Sequence, residues 1–430
     1  MEDIGIMIKH DTRYQYYVNL LKKELVPAMG CTEPIAIAYA AALANKVLKD
    51  EVTKVIVYAS GNIIKNVKSV VVPNTGGKKG ILTAAAIGIC GGNPDKELEV
   101  ISEVTHEQID RMNTFLETIP MELHRIQSGC TLEITIELYG KEHTSVVHIR
   151  NTHANVVLVK RDDKTLFQKD DIKEIESGYS LQMKEIYDFA LLVDVEDVKD
   201  TLQRQIDYNY AIAQEGLSGK YGASIANVLM HTYGDQIEVK ARALAAAGSD
   251  ARMSGCELPV IINSGSGNQG ITASMPVYAY AKELQVTDEV MYRALVISNL
   301  TTLYQKQFIG RLSAYCGAVS AGAGAGAGIT YLLGGDYEHI CHTIVNALAI
   351  TSGILCDGAK PSCAAKIASA VDAGILGYAM FKEGKQFYRG EGIVGNSIEN
   401  TMEGIGQIAR DGMKECDDEI IRLMISSSNS

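Results

Sequence analysis

"LSAYCGAVSAGAGAGAGITYLLGG" (residues 312–335) carries no charged residue. Its length is enough to span a membrane, and its small residues recur at the spacing of packed membrane helices. Gly and Ala supply little transfer energy, however. Arg311 and Asp336 bracket the stretch closely, and no other segment reads as a partner span. The expectation is therefore a buried helix of a soluble fold. Within it, "AGAGAGAG" (321–328) keeps four glycines, each costing about 1 kcal/mol relative to Ala inside a helix. Either another backbone crosses that face closely or a bound group packs there, and the sequence leaves both open.

The pattern around this stretch is helical from about residue 180 nearly to the end, in runs separated by short polar or Gly-rich breaks. Towards the N-terminus, "YYVNLLKKELVPAMG" and "PIAIAYAAALANKVL" read as two helices, with Thr32 as N-cap and Pro34 near the first turn of the second. Between these parts the texture changes. "EVTKVIVYAS", "CTLEITIELYG", "HTSVVHIRN" and "ANVVLVKRD" read as strands, while "KGILTAAAIGI" and "THEQIDRMNTFLETI" read as helices. The expected fold class is α+β. A mostly helical domain formed by residues 1–50 and 180–430 carries an inserted α+β domain over 51–165, with 166–179 as the connection.

With 47% hydrophobic and 21% charged residues, the 430-residue chain is of globular composition. It has no Trp and 40 Gly, so its core depends on close backbone approach. A net charge of −12 argues against a nucleic-acid partner, and no basic stripe offsets it. The first 25 residues contain no apolar signal region, and nine cysteines is an odd number. A cytoplasmic protein without membrane or nucleic-acid partners is expected, in a compartment where disulfides are rare. Many small-residue helix faces suggest a homodimer.

Two loops have the chemistry to hold an anion. "NSGSGNQGI" (263–271) has the formal G-x-G-x-x-G spacing, but the residues that follow read as helix, so a dinucleotide fold fails on context. A Gly-rich turn opening a helix still exposes backbone N–H groups. Asn263, Ser264, Ser266, Asn268 and Gln269 add neutral hydrogen-bonding groups to it. A helix start without ligand is the plainer reading of the same residues. "VVPNTGGKKGIL" (71–82) is a weaker case, with Asn74 in a turn before a helix.

Cys316, Cys356 and Cys363 form the pattern Cys-x39-Cys-x6-Cys, which is neither a zinc nor a ferredoxin spacing. Pro361 places Cys363 in a first helical turn, where the helix dipole favours thiolate. A metal or cluster site and buried structural thiols both remain open on these residues. No histidine pair has the spacing of a zinc hydrolase.

"MGCTEPIAIA" (29–38), "NSGSGNQGI", "YCGAVSAGAGAGAGI" (315–329) and "ILCDGAKPSCAAKIASA" (354–370), taken together, resemble the L-cysteine desulfidase family. Its members are iron–sulfur lyases related to the α-domain of bacterial iron–sulfur L-serine dehydratases, and the likeness runs from about residue 15 to 415. It implies a [4Fe–4S] cluster on Cys316, Cys356 and Cys363, with one iron free to act as a Lewis acid. The cysteine that caps this iron in the dehydratases has no counterpart in "DEIIRLMISSSNS", and Cys416 matches it poorly. The implied reaction is β-elimination of L-cysteine to pyruvate, ammonia and sulfide. Cys31 is the implied base, with a role in merely lining the pocket as the alternative. Thr32 and Glu33 of the same motif, and Asn263, Ser264, Gly265, Ser266, Gly267, Asn268 and Gln269 of the loop, are the implied substrate contacts. His153 and Asn155 in "NTHANVV", where the order departs from the family's, and Asn62 and Asn74 complete the set. Dehydration of L-serine or of another β-substituted amino acid is a second reading, and a non-catalytic amino-acid-binding protein a third.

Overall fold

The computed structural model describes residues 7–9, 11–169 and 180–426. Helix α1 (Thr12–Glu24) begins where the Asp11 carboxylate accepts a hydrogen bond from the Tyr14 amide. A short strand, β1 (Pro27–Met29), leads to α2 (Thr32–Leu48). Cys31, one residue before the expected Thr32, occupies the N-cap position of α2. Then come β2 (Lys54–Ser60), α3 (Gly61–Val67), α4 (Ile81–Gly91) and α5 (His106–Thr118). The start of α5 is fixed by a reciprocal pair, Thr105 side chain with Gln108 amide and Gln108 side chain with Thr105 amide.

Strands β3 (Met121–Ile126), β4 (Glu133–Tyr139), β5 (Thr144–Arg150), β6 (Val156–Arg161) and β7 (Lys164–Gln168) complete a six-stranded sheet. Its order is β3-β2-β4-β5-β6-β7. Only the β2–β3 pair is parallel, and α3 to α5 form the crossover it requires. Alternate residues of β4 and β5, such as Ile134, Ile136, Val147 and Ile149, are buried under α2.

Helices follow: α6 (Met183–Leu192), α7 (Val195–Leu217), α8 (Ile225–Tyr233) and α9 (Ile237–Met253). The short β8 (Pro259–Ile261) pairs antiparallel with β1. Beyond it lie α10 (Gly267–Glu283), α11 (Asp288–Ile309), α12 (Gly317–Leu332), α13 (Tyr337–Thr351), α14 (Cys363–Lys382), α15 (Ile398–Gln407) and α16 (Lys414–Ser426). The chain is thus α+β and mostly helical.

The glycines of α12 have a structural reason. A Cβ on Gly322 would stand 2.4 Å from the Ala370 carbonyl oxygen, and one on Gly326 would stand 2.8 Å from the Gly374 Cα, both on α14. On Gly324 and Gly328 the obstacles belong to α11, the Ser298 carbonyl at 2.5 Å and the Ala294 carbonyl at 2.8 Å. Each i,i+4 pair therefore admits one neighbouring backbone. Of the two readings of "AGAGAGAG", the structure takes the close helix crossing, twice. By length and composition α14 alone among the described helices could cross a membrane. It packs against α13, α12 and α9.

Two main apolar cores result. One joins α1, α6, α7 and helices α9 to α15. The other lies between the sheet and α2, α4 and α5. Helix α2, grouped with the helical domain on sequence, packs instead in this second core, because its long Ala-rich face covers β4 and β5. The inserted unit also runs past residue 165, since β7 ends at Gln168. Residues 170–179 of the expected connection lie outside the described residues.

Candidate active site

The start of α2 supplies the first part of the site. Cys31 is 3% exposed and its Sγ donates to Glu33 Oε2 at 3.0 Å. Glu33 Oε1 accepts from Asn66 Nδ2 of α3 at 2.8 Å. Thr32 Oγ1 donates to the Gly265 carbonyl at 2.8 Å, tying α2 to the glycine loop.

That loop is a tight reversal. The Asn263 and Ser266 amides each donate to the other residue's carbonyl, and the two residues between them, Ser264 and Gly265, have φ of +52° and +77°. Positive φ at both central positions is the requirement of a type I′ turn, which explains the glycine. The turn opens α10, and Arg252 from the last turn of α9 reaches its start. Arg252 Nε donates to the Gly30 carbonyl at 2.8 Å and Nη1 to Asn268 Oδ1 at 3.0 Å.

The thiols come from three places. The Cys316 amide donates to the Ile354 carbonyl at 3.0 Å, and the Cys356 amide to the Ala314 carbonyl at 2.7 Å. This small antiparallel bridge, centred on Tyr315 and Leu355, sets Cys316 and Cys356 on neighbouring strands of chain. Gly358 then turns the chain with φ +92°, and a Cβ there would stand 2.4 Å from the Lys65 carbonyl. The Lys360 ammonium bonds back to the Asp357 and Gly358 carbonyls at 3.2 Å each. Cys363 follows as the first residue of α14.

All four cysteines line one cavity with Glu33, Asn66, Arg252, Ser266, Asn268, Gln269 and Lys306. Its empty space is about 700 Å³ including the open mouth. Among the described residues, no group of His, Cys, Asp or Glu side chains is spaced to hold a metal ion. All nine cysteines are free thiols.

Charge in the cavity is set by burial. It pushes the Cys31 thiol well up, with Glu33 adding to the rise and Arg252 opposing it. For Glu33, burial is outweighed by its neighbours, among them the Cys31 thiol and the Arg252 guanidinium, which hold the carboxyl below its ordinary value. Burial pushes His153 down to about 4, against the pull of Glu33, so the ring is neutral near pH 7. Its Nε2 is 4.0 Å from Glu33 Oε1 and has no hydrogen-bond partner. Burial raises Cys316 to about 12, with Cys356 and Cys363 adding to it, and raises Cys363 as well. The helix-start argument for a Cys363 thiolate is thus overridden by burial, with the Cys356 thiol adding to it. Burial also lowers Lys306 to about 8, against the pull of Cys356 and Cys316.

Several expected contacts serve the fold instead. Asn263 Nδ2 donates to the Asn299 carbonyl and Oδ1 in a buried amide network, and Ser264 Oγ donates to Asn263 Oδ1. Asn74 ties its turn to the Ile101 carbonyl, and Asn155 caps a turn on the Arg150 carbonyl. Gly267 makes room for Arg252, whose Nε would be 2.3 Å from a Cβ there. None of these five residues lines the cavity, and neither do Asn62, Thr32 and Gly265. The structure brings Cys31, Glu33, Ser266, Asn268, Gln269, Cys316, Cys356 and Cys363 together, with His153 directly behind Glu33. The sequence reading missed Asn66, Arg252 and Lys306. The two cations sit in the last turns of α9 and α11, where basic residues are ordinary.

A model of the serine dehydratase alpha chain matches residues 95–422. A UPF0597 protein of Desulfitobacterium hafniense is 54% identical over 428 residues, 99% of this chain and 100% of the relative. One of Lachnoclostridium phytofermentans is 50% identical over 96% of this chain and 100% of its own length. One of Treponema denticola is 45% identical, covering 96% and 98%. The chain belongs to the serine dehydratase alpha chain family, together with these UPF0597 proteins.

Proposed function

We propose that the chain is an iron–sulfur-dependent lyase that β-eliminates L-cysteine to pyruvate, ammonia and sulfide. The observation that carries this reading is the single cavity lined by Cys316, Cys356, Cys363, Cys31 and Glu33. Three thiols with the Lys306 and Lys366 cations near them are a donor set that fits a [4Fe–4S] cluster. Cys316, Cys356 and Cys363 would hold it. When bound, such a cluster offers an iron with an open position, which makes a substrate sulfur or oxygen a better leaving group.

The chain's own part is to hold the amino acid and move its Cα proton. Cys31 is the proposed base, and its thiol first has to lose its proton. Glu33, at 3.0 Å, is the acceptor at hand. The deprotonated Cys31 takes the Cα proton, and the freed electron pair forms the Cα=Cβ bond as the Cβ–S bond breaks. The aminoacrylate tautomerises to an imine and takes up water. L-Cysteine plus water thus balances pyruvate, ammonia and hydrogen sulfide.

The family's name favours a second reading, in which L-serine loses water by the same route. Anaerobic assay with both amino acids separates them. Sulfide from L-cysteine without pyruvate from L-serine supports the first, and the reverse supports the second. An iron-free protein after reconstitution, with no product from either, would leave only a binding role.

A further inference from the structure

Helix α3 stands between the cavity and the end of the chain. It has 7 residues, too few to hold a helix unaided, and its N-cap residue Ser60 makes no side-chain capping bond. Its last turn is engaged on two sides. The Asn66 side chain lines the cavity and donates to Glu33 Oε1, while Glu33 Oε2 accepts from the Cys31 thiol. The neighbouring Lys65 is 2% exposed, and among the described residues its ammonium meets one carboxylate, Asp417 of α16. The Lys65 carbonyl meets Gly358, in the turn between Cys356 and Cys363, where a Cβ would stand 2.4 Å away.

A buried lysine is costly unless a carboxylate meets it, and removing one partner of such a pair strands the other charge. Further contacts seat α16 beside this pair. Arg125 of β3 pairs with Asp418, and the Lys68 ammonium donates to the Met424 carbonyl. Ile421, 3% exposed, packs on Gly61, where a Cβ would stand 2.7 Å from its Cδ1. Asp417 and Ile421 are one helical turn apart, so they share the face of α16 that meets α3. Neither lines the cavity. Helix α16 therefore reaches the site through α3.

We infer that Lys65 and Asp417 are positioning residues of the active site, with α16 holding α3 so that Asn66 stays on Glu33 and the Cys31–Glu33 pair stays closed. This rests on the reading of Cys31 and Glu33 as the groups that move the substrate proton. The ion pair touches no reacting atom, and its effect passes through Asn66. A pair that only pinned the chain end would change stability and leave Cys31 as it was.

Two measurements on the full-length chain test this. The first is the initial rate at which iodoacetamide alkylates Cys31, read peptide by peptide by mass spectrometry before iron is added. Cys90, 4% exposed in the other core, is the internal reference. Asp417→Asn should speed Cys31 by about tenfold or more and leave Cys90 unchanged. Lys65→Met strands no charge, so it covers the case in which Asp417→Asn fails to fold, and it should act in the same direction. The second measurement is kcat of the anaerobically reconstituted chain. Asp417→Asn and Asn66→Ala should each lower it by about tenfold, and the double variant by no more than about twofold further. A Cys31 rate unchanged in both ion-pair variants, a Cys90 rate that rises in step, or kcat losses that multiply in the double variant would overturn the inference. Faster Cys31 alkylation without product from cysteine or serine keeps the positioning role and sinks the lyase. Product formation with Cys31 reactivity and kcat both unchanged in Asp417→Asn does the opposite.

Discussion

The Cys31 thiol donates to the Glu33 carboxylate at 3.0 Å, at the buried start of α2. The pair stores the proton on sulfur, since burial and Glu33 together raise the thiol and the carboxyl stays low. The proposed route through Cys31 has to move its proton against this bias, and Glu33 is the acceptor bonded to it. Glu33→Gln keeps an oxygen for Asn66 and removes the basicity. The expected result is a fall in kcat of about 100-fold or more at unchanged iron content. Full activity in that variant would remove Cys31–Glu33 from the proton path.

His153 gives a pH signature. Its ordinary value of 6.5 falls to about 4 on burial in the fold. Between those values the unfolded chain binds a proton that the folded chain refuses, so stability drops as pH falls from about 6.5 to about 4. The drop from this one group is about 3 kcal/mol. Urea unfolding at stepped pH should show that slope, and His153→Asn should lose it.

The α12 crossings make a packing prediction. Ala is the better helix former, by about 1 kcal/mol over Gly. Gly322→Ala should nevertheless destabilise the chain by about 1–3 kcal/mol, because the new methyl meets the Ala370 carbonyl at 2.4 Å. Chemical denaturation reads the sign directly, and a stabilised variant would mean that α12 and α14 stand farther apart.

The raised thiols set the conditions for loading. To hold iron as proposed, Cys316 and Cys363 have to give up protons that burial holds on. Cluster reconstitution should release protons and should go further at pH 8.5 than at pH 7. Iron uptake that is independent of pH would contradict this.

Much of the fold is legible in the sequence because local patterns agree with it. The alternation of Ile134, Ile136 and Leu138 in β4 marks a half-buried strand, and the buried face bears this out. Strand β3, "MELHRI", is polar and largely exposed, and its parallel pairing with β2 is non-local, so no pattern announces it. The thiols were legible as a set through their motifs, but their protonation was not. Helix-start position is local, whereas the burial that overrides it is tertiary. Arg252 and Lys306 were invisible for the same reason, since only the packed chain shows that these helix-end cations face a cavity.

Anaerobic iron and acid-labile sulfide content of the reconstituted wild-type chain, beside Cys356→Ala, tests the central claim most directly. Cys356 is half-buried and its backbone makes the bridge to Ala314, so the variant should keep its circular-dichroism spectrum. The expected result is about four irons per chain in the wild type and a large loss in the variant. An iron-free wild type, or equal cluster content in folded Cys356→Ala, would contradict it.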